Sequence, residues 1–114
     1  MSAALLNWVK IANNANELSA PSGSIFTITI AERTVCIYSE GGKIYAFSSK
    51  CPHAGYELSE GSLTKEGIIT CALHGYKFCT RTGKNVSGEG YRLFTYPIEN
   101  RPDGIYIGFR KTLF

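Results

Sequence analysis

The stretch that decides the fold of this chain is Cys51-Pro52-His53, followed seventeen residues later by Cys71-Ala72-Leu73-His74. The two runs contain both histidines of the 114-residue chain and two of its four cysteines. Each run supplies one thiolate and one imidazole, so the same pair of metal-binding groups occurs twice. The pattern predicts that two loops converge on one metal centre.

Two kinds of metal centre accept two thiolates and two imidazoles. One is tetrahedral structural zinc, a frequent reason for four such ligands in a small domain. The other is a two-iron, two-sulfur cluster of mixed ligation, in which two cysteines hold one iron and two histidines hold the other. Zinc modules usually place two cysteines in one turn and two histidines on a helix, whereas each run here carries one of each. The pattern favours the cluster, and a zinc-bound structural or interaction module is the alternative.

The two runs resemble the signature of the Rieske family, which is Cys-x-His, a gap of sixteen or seventeen residues, and Cys-x-x-His. The likeness extends over about residues 8 to 109, and its other matching positions are Gly55, Leu58, Gly61, Gly75 and the run Phe78-Cys79-Thr80-Arg81-Thr82-Gly83-Lys84. The resemblance implies one [2Fe-2S] cluster per chain, with the ligands Cys51, His53, Cys71 and His74. It also implies that the two histidines face outward and that the two cysteines lie on the inner side.

Hydrophobic periodicity predicts an all-β fold. The strand candidates are residues 24–30, 34–39 and 43–48, followed by 67–71, 76–80, 91–98 and 104–109, which are bounded by glycine, proline, asparagine or aspartate. Residues 8–12 are similar to the opening strand of stand-alone Rieske ferredoxins. Tight turns are expected at 31–33 and at Gly41-Gly42, and the one weak helical signal, at 14–18, extends for a single turn. Together with the resemblance, this predicts a single domain over residues 1–114. It would be a Rieske-like antiparallel β-sandwich with a small inserted cluster-binding subdomain at about residues 49–79.

Departures from the family's high-potential members predict a low reduction potential. Those members carry an extra cysteine in each ligand loop, which form a disulfide, but the corresponding positions here are Tyr56 and Leu73. They also carry a serine and a tyrosine whose hydroxyls bond to cluster and cysteine sulfurs, where this chain has Tyr76 and Phe78. Fewer hydrogen bonds leave more negative charge on the sulfurs. We therefore expect a potential at the low end of the Rieske range, about −150 mV.

Other positions around the proposed cluster carry weaker predictions. Related ferredoxins usually place a proline in a third loop that covers the cluster, whereas this chain has Gly88-Glu89-Gly90-Tyr91, which predicts a cover of different shape. Cys36 and Cys79 lie within apolar strand candidates and are expected to be small buried core residues. Candidates for an apolar lid over the cluster are Pro52, Tyr56, Leu58, Leu73 and Tyr76, and a plain packing role within its loop is the alternative for Leu58.

Composition and charge exclude several classes of function. The net charge of +3 comes from scattered residues, so nucleic acid is a poor candidate for a partner. Residues 1–6 show neither a signal-peptide core nor a membrane anchor, which predicts a cytoplasmic chain that does not enter a membrane. No histidines remain for a second catalytic iron, and no nucleophile or nucleotide-binding loop is evident, so we expect an electron-transfer protein and not an enzyme.

The resemblance therefore implies a one-electron carrier related to stand-alone Rieske ferredoxins. Its transient partners would be a flavin-dependent reductase as donor and a terminal oxygenase or other redox acceptor. We expect a monomer, since nothing in the pattern demands an interface. A second alternative is an accessory subunit similar to the small subunit of nitrite reductases, a class that generally lacks the four ligands.

Overall fold

A computed structural model describes residues 6–18, 24–30 and 32–110 of the chain. Its ten strands are β1 (Leu6–Ala12), β2 (Phe26–Ile30), β3 (Arg33–Glu40), β4 (Lys43–Ser48), β5 (Ser62–Leu63), β6 (Ile68–Thr70), β7 (Lys77–Cys79), β8 (Thr95–Tyr96), β9 (Ile98–Arg101) and β10 (Gly104–Arg110). Two short 3₁₀ turns occupy Ala15–Leu18 and Leu58–Glu60. These described ranges contain no α-helix, and the predicted all-β class is confirmed.

Two antiparallel sheets form a sandwich, and a third, smaller sheet packs outside it. The sandwich sheets have the strand orders β1-β10-β9 and β2-β3-β4-β8, and the third has the order β5-β6-β7. The first and last strands pair directly, from Leu6 opposite Arg110 to Ala12 opposite Ile105. Apolar side chains from both sandwich sheets form a shared core, which includes Ala12, Val35, Ile37, Ile44, Ala46, Ile105, Ile107 and Phe109.

Strand β3 carries four consecutive apolar residues because it is covered on both faces. Val35 and Ile37 point into the sandwich core. Cys36 and Tyr38, on the opposite face, belong to a second core. Side chains alternate along a strand, so an unbroken apolar run fits a strand that is buried on both sides. Strand β3 therefore separates the sandwich from the part of the chain that carries the two ligand runs.

That part of the chain leaves the sandwich after Ser48 and returns at Thr95. Its buried members join β3 and β4 in the second core, which contains Cys36, Tyr38, Phe47, Cys51, Leu58, Ile69, Cys71, Phe78 and Leu93. Both cysteines of the ligand runs therefore belong to this core. The packing fixes the position of their backbone relative to the sandwich.

Most predicted strands are present, and one is wrong in extent. The strand at 43–48 has the expected bounds, and the hairpin that joins β3 to β4 turns at Gly41-Gly42. The β2–β3 hairpin is also present, although Ala31 of its predicted turn lies outside the described residues. The predicted strand at 91–98 is replaced by the short β8 and by β9, which begins at Ile98. Pro97 separates the two because it has no backbone N–H to donate to a ladder.

The segment considered for an export signal or an anchor, residues 1–6, lies outside the described residues except for Leu6. Within the described part of the chain, no helix is long and apolar enough to cross a membrane.

Candidate metal centre

The two ligand runs form loops with the same backbone hydrogen bonds. In each loop the cysteine carbonyl accepts from the glycine N–H four residues later, and the cysteine N–H donates to the carbonyl of the following tyrosine. The distances are 2.7 and 2.8 Å for Cys51 with Gly55 and Tyr56, and 2.9 and 2.8 Å for Cys71 with Gly75 and Tyr76. Both glycines have positive φ, 71° and 75°, which glycine adopts without steric cost. The repeated motif gives each loop one inward cysteine and one outward histidine.

The two cysteine sulfurs lie together on the inner side of the site. Cys51 and Cys71 are each 1% exposed. Burial raises the pKa of the Cys51 thiol, and the adjacent Cys71 thiol raises it further. The backbone N–H groups of His53 and Ala54 act in the opposite direction, because they donate to the Cys51 sulfur. The inner position expected for the cysteines is therefore observed, with backbone donors ready to stabilise a thiolate.

The two histidines meet on the outer side. The Nδ1 atoms of His53 and His74 are 3.3 Å apart, and their ring centroids are 4.8 Å apart. His74 is exposed, as expected from the sequence, whereas His53 is only half-buried because aromatic rings cover it. Two imidazole nitrogens that approach this closely from different loops form the kind of pair that one metal ion can join.

These four side chains are sorted by element into a sulfur pair and a nitrogen pair. Such sorting fits the mixed cluster, in which one iron takes two sulfur ligands and the other takes two nitrogen ligands. The donor set therefore fits a two-iron cluster.

Two tyrosine rings surround the outer side of the site. Tyr76, which directly follows the second ligand loop, lies 4.2 Å from His53 between ring centroids, and 6.1 Å from His74. Tyr91 comes from the third loop and lies 5.4 Å from His53. The sequence predicts Tyr76 near the cluster and places Tyr91 both at the end of the third, covering loop and at the start of a strand candidate. The structure places Tyr91 in the loop, against His53.

The residues of the predicted lid do not share one role. Tyr76 packs on a histidine ring, as a lid residue would. Leu58 is fully buried in the second core, which corresponds to the plain packing role. Tyr56 and Leu73 are 39% and 44% exposed, and Pro52 is half-buried. Tyr56 and Leu73 therefore present apolar surface beside the histidines.

The two remaining cysteines differ from each other. Cys36 is fully buried, which confirms its predicted core position. Cys79 is only half-buried, so the same prediction is wrong for Cys79. It begins a tight turn with the hydrogen bonds seen in the ligand loops, since Gly83 N–H donates to its carbonyl and its own N–H donates to Lys84. None of the four cysteines, all of which lie within the described residues, forms a disulfide.

Comparisons with known proteins agree with this geometry. The Rieske [2Fe-2S] domain model matches residues 7–97. The chain is 31% identical over 88 residues to the 3-phenylpropionate/cinnamic acid dioxygenase ferredoxin subunit of Shigella boydii serotype 4 (strain Sb227), covering 76% of this chain and 82% of that one.

Two solved structures have the same fold. A ferredoxin–oxygenase complex of carbazole 1,9a-dioxygenase contains a chain with a TM-score of 0.71 and 26% identity, and the match covers 87% of this chain and 99% of that chain. A nitrite reductase small subunit from Mycobacterium tuberculosis, described as putative and NADH-dependent, has a TM-score of 0.76 at 15% identity, covering 94% and 98%. The second likeness concerns the fold alone. With the matched domain model and the ferredoxin relative, the paired loops show that this chain belongs to the Rieske [2Fe-2S] domain family and carries a [2Fe-2S] cluster.

Proposed function

We propose that Cys51 and Cys71 hold one iron of the [2Fe-2S] cluster and that His53 and His74 hold the other through Nδ1. The observation that carries this proposal is the 3.3 Å approach of the two Nδ1 atoms, which come from different loops. The buried pair of cysteines lies on the inner side of the same two loops. When bound, the cluster supplies one-electron redox chemistry. The whole chain would act as one domain, because β1 and β10 at its two ends build the same core.

The protein is a one-electron carrier of the Rieske ferredoxin type. Its own residues bury the sulfur side of the site and leave the His74 side open to solvent. This arrangement suits transfer to a partner, since an electron needs a short path between the two redox centres. We infer that the chain has no catalytic step of its own and serves as a component of an oxidoreductase system.

The relatives indicate the kind of partner. One is named as a ferredoxin subunit of a dioxygenase, and another forms a complex with its oxygenase. We infer that this chain passes electrons to a terminal oxygenase or a similar acceptor and receives them from a flavin-dependent reductase. We further infer a monomer that works in the cytoplasm.

A small docking surface surrounds the histidines. The exposed apolar side chains Tyr56 and Leu73 lie on the two ligand loops, and the exposed Lys50 and Lys77 flank those loops. An apolar centre with charged edges fits a weak, transient interface, in which charges affect the association rate more than the affinity. An acidic face on the partner would complement the two lysines.

The alternatives rest on weaker observations. The nitrite reductase small subunit shares the fold at 15% identity, and a zinc module would use the same four ligand types. Both alternatives predict a colourless protein. A brown protein with iron and sulfide would support the carrier.

The proposal is tested by anaerobic purification followed by assays of iron, zinc and acid-labile sulfide, with visible and low-temperature EPR spectra before and after reduction by dithionite. We expect two iron and two sulfide per chain, and a reduced signal of low average g value. The variants Cys71→Ser and His53→Ala should lose this signal, whereas Cys79→Ser, at a cysteine outside the site, should keep it. One zinc per chain, or an unchanged signal in Cys71→Ser, would contradict the ligand assignment.

A further inference from the structure

The two histidines of the metal centre have different surroundings. The His53 ring contacts two tyrosines, with centroid distances of 4.2 Å to Tyr76 and 5.4 Å to Tyr91. Tyr76 and Tyr91 are 6.0 Å apart, so the three rings form one cluster. His74 lies at the edge of this cluster, 6.1 Å from Tyr76, and it is exposed. One imidazole is therefore enclosed by aromatic rings while the other remains open.

The loop that carries Tyr91 is fixed to the second ligand loop by the side chain of Asn85. Its Nδ2 donates to the Lys77 carbonyl at 3.0 Å and to Glu89 Oε1 at 3.0 Å. Its Oδ1 accepts from the Gly90 N–H at 2.7 Å, directly before Tyr91. Lys77 begins β7, which follows the second ligand loop. One side chain thus joins the third loop to the strand that leaves the metal centre.

Two further sets of contacts hold the same loop. Lys77 N–H donates to Ser87 Oγ at 2.8 Å, and Val86 N–H donates to the Lys77 carbonyl at 2.9 Å. After Tyr91, the backbone of Arg92 forms an isolated antiparallel β-bridge with the backbone of Lys84. The backbone is therefore anchored on both sides of Tyr91. The ring stays 41% exposed while it covers His53, so this contact follows from the anchored backbone and not from burial of the tyrosine in a core.

We propose that Tyr91 is a positioning residue that caps His53, and that Asn85 holds it in place. The inference rests on the proposed ligand role of His53. A ring that packs on an imidazole ligand restricts the rotation of the imidazole. It also limits the approach of water to the iron that the imidazole would hold, as groups around metal ligands commonly do. The cap makes the two histidine positions inequivalent. Tyr91 stands in the loop where related ferredoxins carry a proline and this chain does not.

The test uses the cluster-loaded protein and four variants. Tyr91→Ala removes the ring, and Tyr91→Phe keeps the ring without the hydroxyl. Asn85→Ala releases the loop, and Val86→Ala removes an exposed apolar side chain of the same loop without touching the tyrosine. Three quantities are measured: the g values of the reduced EPR signal, the deuterium modulation of that signal in heavy water, and the half-time of iron loss to a chelator.

We expect Tyr91→Ala to change the g anisotropy, to deepen the deuterium modulation, and to shorten the half-time of iron loss several-fold. Asn85→Ala should move all three in the same direction by a smaller amount. Tyr91→Phe should match the unmodified protein, because the ring and not the hydroxyl makes the contact, and Val86→Ala should match it as well.

The outcomes separate this inference from the proposed function. If the unmodified protein lacks a Rieske signal, the proposed function is wrong. If it has that signal and Tyr91→Ala leaves the g values and the deuterium modulation unchanged, the capping role alone is overturned. A change in Val86→Ala as large as in Tyr91→Ala would also overturn it, since the effect would then belong to the loop as a whole.

Discussion

The two cysteines outside the metal centre differ because their immediate surroundings differ. Burial raises the pKa of the Cys36 thiol to about 12, and the negative charge of Glu57 adds to this effect. At Cys79 burial also raises the pKa, but hydrogen bonds from the Thr82 hydroxyl and from the N–H groups of Arg81 and Thr82 outweigh it. The nearby Arg81 charge acts in the same direction as those hydrogen bonds. The pKa of Cys79 therefore lies below its usual value, and that of Cys36 lies far above it.

This difference predicts selective alkylation in the folded protein. The thiolate is the reacting form, so iodoacetamide at pH 8 should label Cys79 at least about tenfold faster than Cys36. As the pH falls through the lowered pKa of Cys79, its labelling should slow, while Cys36 stays a thiol throughout. Peptide mass spectrometry after timed labelling measures both rates. Equal rates at the two cysteines would contradict the prediction, and Cys79→Ser provides the control for background labelling.

At the level of elements, a buried chain of hydrogen bonds ties the small sheet to the sandwich. The Thr80 hydroxyl, directly after β7, donates to the Gly67 carbonyl before β6 at 2.7 Å. The Thr80 hydroxyl oxygen also lies 2.7 Å from the Tyr38 hydroxyl on β3. Because the Thr80 proton is directed at Gly67, the Tyr38 hydroxyl is the donor in this second hydrogen bond. Both side chains are at most 2% exposed. Removing the Thr80 hydroxyl leaves the buried Tyr38 hydroxyl without this acceptor, whereas the Gly67 carbonyl still accepts from the Thr80 N–H at 2.8 Å.

We therefore expect Thr80→Val, which keeps the shape of the side chain, to lower the free energy of unfolding by about 1 kcal/mol. The thermal midpoint of the cluster-loaded protein should fall by roughly 4 °C. Tyr38→Phe should lower the free energy of unfolding by a smaller amount, because the Thr80 hydroxyl can still donate to the Gly67 carbonyl. Thr80→Ser keeps the hydroxyl but loses a buried methyl group, so the unmodified protein is the reference. A midpoint in Thr80→Val equal to that of the unmodified protein would show that the hydrogen-bond chain does not stabilise the fold.

The third loop shows where prediction at this scale failed. The apolar and aromatic residues of 91–98 predict a strand, yet within this stretch only Thr95–Tyr96 pair with β4. The backbone before Tyr91 is engaged by the Asn85 side chain, and Pro97 cannot donate to a ladder. Side-chain hydrogen bonds to a loop backbone compete with strand pairing, and sequence periodicity does not report them.

At the scale of the whole molecule, the two cores hold different parts of the chain. The sandwich core is built from the first four strands and the last three, whereas the second core contains both cysteines of the ligand loops. The sandwich is closed by its own strand pairing, but the ligand loops converge on a metal centre. Binding of the cluster should therefore stabilise the second core far more than the first.

This division predicts a local effect of cluster removal. In hydrogen exchange measured by mass spectrometry, the apoprotein should lose protection over about residues 51–76. Peptides from β1, β2, β3 and β10 should keep theirs. Equal loss of protection across the sandwich would mean that the cluster stabilises the whole fold, and an unchanged pattern would mean that the loops are preformed.

The environment of the cluster also sets its potential. The Cys51 sulfur receives hydrogen bonds from the backbone N–H groups of His53 and Ala54, while Phe78 is fully buried and has no hydroxyl to offer. Because Phe78 offers no hydroxyl, the expected potential remains near the low end of the range, about −150 mV. Protein-film voltammetry measures it directly. A midpoint above about +100 mV would contradict the prediction.

The sequence by itself determined the features that a few neighbouring residues encode. These are the all-β class, the turn at Gly41-Gly42, the strand at 43–48, and the repeated Cys and His runs that predict the ligands. Only the tertiary structure decided which face of β3 covers each core, that Cys79 is partly exposed, and that Tyr91 packs on His53. The reason is physical, since periodicity and turn chemistry act over a few residues. A ring contact between distant loops depends instead on where the packed backbone and the Asn85 hydrogen bonds hold each loop.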